Sequence, residues 1–171
     1  MIGPKPAPAM PLVGATIAGM SIVERPPMNP MVGDPDDHRP DTSWGVIADP
    51  GDDHGRVDSL AIIHESIAVG DRIPLHTHDV DEAITILAGE GEARLGDDLR
   101  RVGAGTVIFI PSGIPHATSN VGDAPLDIHA VFPSTTIEIA MLERNPAPGT
   151  EGDAPRRSRY DLRTGDFEPI E

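Results

Sequence analysis

The residues of this chain best suited to chemistry are three histidines and a glutamate. His76, His78 and Glu82 fall together in residues 70–82, and His116 ends a second segment, residues 105–116. Neutral imidazole nitrogens and one carboxylate suit a borderline divalent ion such as iron, manganese, nickel, cobalt or zinc. With such an ion bound, the chain has a reactive centre. Without it, little else in the sequence looks like chemistry. There is no Gly-x-Ser-x-Gly elbow and no phosphate-cradling glycine loop with Lys and Ser or Thr, and the absence of cysteine excludes thiol nucleophiles.

The spacing makes convergence on one point physically reasonable. Side chains at i and i+2 of a strand point the same way, so His76 and His78 project together if their segment is extended. Pro74 favours that, because proline disfavours helix and biases the residue before it toward extended backbone. Glu82 lies at even separation from both and can share their face. His116 must arrive from a remote strand, held by the turn-forming Pro111-Ser112-Gly113 and by Pro115. A His-x-His pair alone is a weak signal, since such pairs also occur on solvated strands. The conjunction of two glycine-bounded segments carries the weight.

Short β-rich runs separated by turns surround these segments. Residues 59–69, 83–87, 92–95, 99–102, 106–110, 126–132 and 136–142 read as strands, with Leu95-Gly96-Asp97-Asp98-Leu99 as a hairpin turn. No helical stretch separates them, which indicates an antiparallel sandwich or barrel. We expect the barrel over residues 58–143. Residues 1–57, rich in Pro, Gly and Asp, read as an N-terminal arm and loops, with possible short strands at residues 12–23 and from Trp44 onward. Residues 144–171 read as a solvated C-terminal tail or surface arm carrying Arg156, Arg157 and Arg159.

The 171-residue length fits one domain. Hydrophobic residues make up 38% of the chain and aromatics only 3%, so the core must be aliphatic. The net charge of −15 argues against nucleic acid or an anionic membrane surface as partner. Residues 12–23 are too short to span a bilayer, and four nearby prolines argue against a signal peptide. With no cysteine, the expectation is a cytoplasmic protein.

Other residues are candidates for lesser roles. His129, in Asp127-Ile128-His129-Ala130-Val131, can point into the barrel as acid, base or substrate contact; the plainer reading is a structural or outward-facing histidine. His64 is similar. Because Glu65 follows it on the strand, only one of those two faces inward. Ile84 and Phe109 are expected to line the interior, as pocket or simply as core.

The two glycine-bounded segments resemble the cupin family. Its first motif is a glycine, five residues, His-x-His, three or four residues, a glutamate, six residues and a glycine, matched by Gly70, His76, His78, Glu82 and Gly89. Its second is a glycine, five residues, Pro-x-Gly, two residues, a histidine, three residues and an asparagine, matched by Gly105, Pro111, Gly113, His116 and Asn120. The resemblance covers residues 70–120. It implies an all-β jelly-roll barrel, one divalent transition metal held by His76, His78, Glu82 and His116, and one or two open coordination positions for a small-molecule substrate or dioxygen. It implies a metal-dependent enzyme, with oxygenase chemistry slightly favoured over lyase, decarboxylase or isomerase chemistry, or else a small-molecule-binding barrel without turnover. It also suggests a homodimer in which residues 12–23 add a strand to a neighbour's sheet.

Overall fold

The computed structural model describes residues 27–47 and 59–170, so residues 12–23 lie outside the described part. Thirteen strands follow in chain order: β1 (Asn29–Met31), β2 (Arg39–Val46), β3 (Ala61–Ile67), β4 (Arg72–His78), β5 (Glu82–Ala88), β6 (Glu90–Leu95), β7 (Asp98–Gly103), β8 (Val107–Ile110), β9 (His116–Asn120), β10 (Leu126–Phe132), β11 (Thr136–Met141), β12 (Arg157–Asp161) and β13 (Phe167–Pro169). Among the described residues there is no helix, and hence no helix long and apolar enough to cross a membrane.

The strands make two sheets. One has the order β1-β2-β3-β10-β5-β8, the other β13-β12-β11-β4-β9-β6-β7, and the strand pairings among the described residues are antiparallel. This is the all-β jelly-roll architecture anticipated from the sequence. The centre of the first sheet shows why it forms. In β10, Leu126, Ile128, Ala130 and Phe132 are buried while the residues between them are only partly so. This two-residue period is that of a strand with one face on a core. Ile67, Ile84, Ile86, Leu126 and Ile128 are each at most 2% exposed and pack with Ala93, Val102, Ile108 and Ile110. A second cluster, Ala61, Ala130, Phe132, Ile137 and Leu162, closes the other side. Full burial of each large aliphatic side chain stabilises the fold by about 1.5–3 kcal/mol, which compensates for the scarcity of aromatics.

The anticipated hairpin is present. Leu95 pairs with Asp98 across Gly96-Asp97, and Gly96 adopts φ 57°. Gly89, which ends the first motif, has φ 84°, and a Cβ there would sit 2.5 Å from the Pro125 carbonyl oxygen. Only glycine suits both conditions.

The segments expected as arm and tail carry more structure than their composition suggests. β2 pairs with β3, and β12 extends the second sheet from β11. The arginines read as solvated are engaged. Arg156 reaches Asp36, and Arg157 and Arg159 both reach Glu138. Arg144 Nε donates to Asp36 Oδ1 at 2.6 Å, and Asp37 bridges to Asn145, so residues 34–37 and 144–156 brace one another. Leu162 is 6% exposed within the second core cluster.

Candidate metal centre

β4 carries the first two histidines. Its register shifts between Ile73 and His76, around Pro74, which has no N–H to give to a ladder. Beyond the irregularity His76 and His78 share a buried face. His116 opens β9 directly opposite His76. Glu82 opens β5 in the other sheet, so the cluster bridges the two sheets. The ring centroids of His76 and His116 are 4.2 Å apart, those of His78 and His116 4.7 Å, and those of His76 and His78 5.8 Å.

The imidazoles are oriented by backbone carbonyls. Nδ1 of His76, His78 and His116 lies 2.8, 2.6 and 2.8 Å from the carbonyl oxygens of Pro74, Val80 and Ile114. A carbonyl only accepts, so each Nδ1 carries a proton, and it is Nε2 that presents a lone pair when the ring is neutral. One ligand nitrogen from each ring lies within 4.8 Å of those of the other two. Glu82 Oε2 is 3.0 Å from His78 Nε2 and 3.2 Å from His116 Nε2. The His116 Nε2 is buried without an aligned hydrogen bond. Burial, followed by the neighbouring His116, pushes the His76 imidazole down to about 3. Burial would raise the Glu82 carboxyl, yet His116 and His78 hold it at about 2. Three imidazole nitrogens converging beside an ionised carboxylate, one of them an orphan, fit a divalent cation. His76, His78 and His116 can hold the ion, with Glu82 beside them.

His76, Glu82 and His116 form one wall of a cavity of about 190 Å³. Ile84, expected to line the interior, does so, together with Ile63, Ala130, Phe132 and Ile137. Phe132 meets the His78 ring edge to face at 5.6 Å. Three other expectations are corrected. Phe109 is 75% exposed, because on β8 the inward positions belong to Ile108 and Ile110. His64 and His129 do not point into the barrel. Their strands turn Ile63, Glu65 and Ala130 to the cavity, so both imidazoles fall on the outer face, edge to face with centroids 5.2 Å apart.

The wall away from the histidines holds polar residues that the sequence reading missed. Arg39, 2% exposed, donates through Nε and Nη2 to the two Asp37 carboxylate oxygens, 2.7 Å each, and through Nη1 to Glu65 Oε1. Tyr160 donates its hydroxyl to Asp34 Oδ2 and stacks on Phe167. Trp44 closes over Gly165, where a Cβ would lie 2.5 Å from the indole ring. Strand phase was the available signal for Glu65, since it alternates with His64. The adjacent Ile62 and Ile63 left that phase ambiguous.

The family description "Cupin domain" matches residues 63–132, which carry all four candidate ligands. The fold agrees: the polyketide cyclase RemF from Streptomyces resistomycificus superposes with a TM-score of 0.56 at 24% identity, over 74% of this chain and 82% of that one. Residues 63–132 are a cupin domain. Among curated relatives, this protein is 45% identical to the dimethylsulfoniopropionate lyase DddQ of Ruegeria pomeroyi over 62 residues, 36% of the chain. It is 38% identical to an uncharacterized protein of Methanocaldococcus jannaschii over 63 residues, again 36% of the chain. It spans 31% and 50% of the length of those two relatives.

Proposed function

We propose that this protein is a metal-dependent enzyme acting on a small organic molecule. The observation that carries the reading is the convergence of His76, His78 and His116 donors, with Glu82 beside them, at a cavity that His76, His116 and Glu82 line together with aliphatic and aromatic side chains and the Arg39 cluster. In this reading His76, His78, Glu82 and His116 are the ligands. A bound divalent ion supplies a Lewis acid able to hold a carboxylate, an enolate or dioxygen. The chain's own contribution is orientation and exclusion of water. The three carbonyl contacts fix the imidazoles, and Ile63, Ile84, Ala130 and Phe132 keep the surroundings dry, where electrostatic effects are stronger than in water.

The relative named as a lyase supports non-oxidative bond cleavage as the reaction type. Dioxygen chemistry is the competing reading, carried by the donor set alone. The test is elemental analysis of the purified protein, followed by turnover assays of protein loaded with iron, manganese, nickel, cobalt or zinc. Dimethylsulfoniopropionate and other small carboxylates are assayed for cleavage, and phenols, diketones and thiols for oxygen uptake. Metal-dependent cleavage without oxygen uptake is the expected result. Oxygen uptake would replace the lyase reading, and a protein that takes up no metal would end both. We further propose a homodimer, to be checked by light scattering on the full chain.

A further inference from the structure

Glu65 has no role in the centre just described, and its setting is unusual. It sits on β3 in the six-stranded sheet and faces the same cavity as the histidines. Its side chain is 9% exposed. Oε1 is taken by Arg39, whereas Oε2 has no hydrogen-bond partner among the described residues. A carboxylate oxygen that faces a cavity and is not engaged by Arg39 is available to a hydrogen-bond donor that arrives with the ligand.

The charge count says what that group is. Arg39 is the cation of this cluster, and Asp37 already matches it with two bonds from Nε and Nη2. Glu65 is therefore a second carboxylate on one guanidinium, and the trio carries an excess negative charge whenever Glu65 is ionised. Asp34, facing the same cavity, accepts the Tyr160 hydroxyl and pairs with Arg156 at 3.5 Å, so it leaves the excess at Glu65 unchanged. Burial, opposed by Arg39, pushes the Glu65 carboxyl upward, with Asp37 and Glu82 adding to the rise. A proton on Glu65 is one way to relieve the excess charge. A ligand bearing a positively charged hydrogen-bond donor relieves it equally well and gains a charge-assisted bond in a water-poor space.

Resting on the metal-dependent reading above, we propose that Glu65 is the second anchor of the substrate: its Oε2 accepts a hydrogen bond from an ammonium group at one end of a short aliphatic molecule whose other end, a carboxylate, lies at the histidine cluster. The substrate class is then a small amino carboxylate with an aliphatic middle. Ile63, on the strand of Glu65, and Ile84, on the strand of Glu82, line the space for that middle. Arg39 does not touch the ligand in this arrangement; it holds Oε1 and so aims Oε2.

The test uses the full chain loaded with cobalt(II), whose visible spectrum reports a carboxylate entering the coordination sphere. Straight-chain carboxylates from propionate to hexanoate are titrated by calorimetry alongside their ω-hydroxy and ω-amino counterparts. At least one ω-amino compound is expected to bind about tenfold or more tighter than its unsubstituted parent, the scale of one charged hydrogen bond. Glu65→Gln is expected to abolish that preference while leaving the parent's affinity and the cobalt spectrum unchanged. Glu65→Leu, which fills the site without a polar atom, should do the same. A preference that survives in both variants, or no ammonium preference at any length, overturns the inference. A spectrum that responds to the plain carboxylates in that case leaves the metal reading standing. Failure to bind cobalt overturns the metal reading first, and the anchor with it.

Discussion

The backbone N–H of Gly113 donates to the carbonyl oxygen of His78 at 2.8 Å, tying the turn before His116 to the strand that carries the other two histidines. Asp81 adds a second tie by accepting the Ser112 N–H at 2.9 Å. The two sequence motifs are therefore joined by backbone contacts independent of any ion. Gly113 has φ 78°, and the space where a Cβ would stand is open. Gly113→Ala should thus act through backbone strain alone, lowering stability by about 1–2 kcal/mol. Displacing the turn should also weaken metal affinity. Chemical denaturation of metal-free protein and competitive metal titration check the two effects. Unchanged metal affinity in a destabilised variant would show that this turn does not position His116.

Metal removal should be visible as lost stability. An ion held at a hundredfold excess over its dissociation constant stabilises the fold by about 2.7 kcal/mol. Chelator treatment of the loaded wild type should therefore lower its melting temperature by several degrees. His78→Ala should bind no stoichiometric metal by elemental analysis and should melt at the same temperature with and without chelator. Retained metal in that variant would remove His78 from the ligand set.

Much of the site was legible because its logic is local. His76 and His78 follow from strand alternation, Glu82 from even spacing, and His116 from a turn written in proline and glycine. What failed was sidedness. In residues 106–110, Val107, Ile108, Phe109 and Ile110 are all apolar, so hydrophobicity alone could not say which pair faces inward. The same ambiguity at Ile62-Ile63 turned attention to His64 instead of Glu65. Asp34 and Arg39 lie far from Glu65 and Tyr160 in the chain, and pairing of β2 with β3 and of β12 with β11 helps bring them to one cavity. The orientation of Phe109 has a direct consequence. Phe109→Ser should change stability by about 0.5 kcal/mol or less, whereas Ile84→Ala should cost about 2–5 kcal/mol. Urea denaturation of the two variants checks the inward face of this sheet.

Asn120, the last residue of the second motif, is 3% exposed and organises a turn. Its Nδ2 donates to the carbonyls of Ile67 and Ala124, both at 2.9 Å, and its Oδ1 accepts the Gly122 N–H at 3.0 Å. Asn120→Ala leaves three polar groups to find new partners, each costing about 1–3 kcal/mol if it remains buried and unpaired. The expected outcome is a large loss of stability with little change in metal affinity for the molecules that still fold. A comparable loss of metal affinity would instead assign Asn120 to the centre.

Asp36 gives the fold a pH dependence of calculable sign. It is 2% exposed, and burial alone would raise its pKa. Hydrogen bonds from the Arg144 side chain and from the backbone and side chain of Arg156 outweigh that, holding the carboxyl below its ordinary 3.8. A depressed folded-state pKa means that the unfolded chain binds the proton more readily. The stabilisation is therefore fully present well above pH 3.8 and is lost as pH falls from there toward the depressed value. Asp36→Asn should cost about 3–5 kcal/mol at neutral pH, because it leaves Arg144 buried without its partner charge. The gap between variant and wild type should narrow on acidification, as the wild type loses its ionised carboxylate and the variant has none to lose. Denaturant midpoints measured from neutral pH down to about pH 3 check this. A gap independent of pH would mean that shape and neutral hydrogen bonds, rather than charge, hold residues 34–37 against residues 144–156.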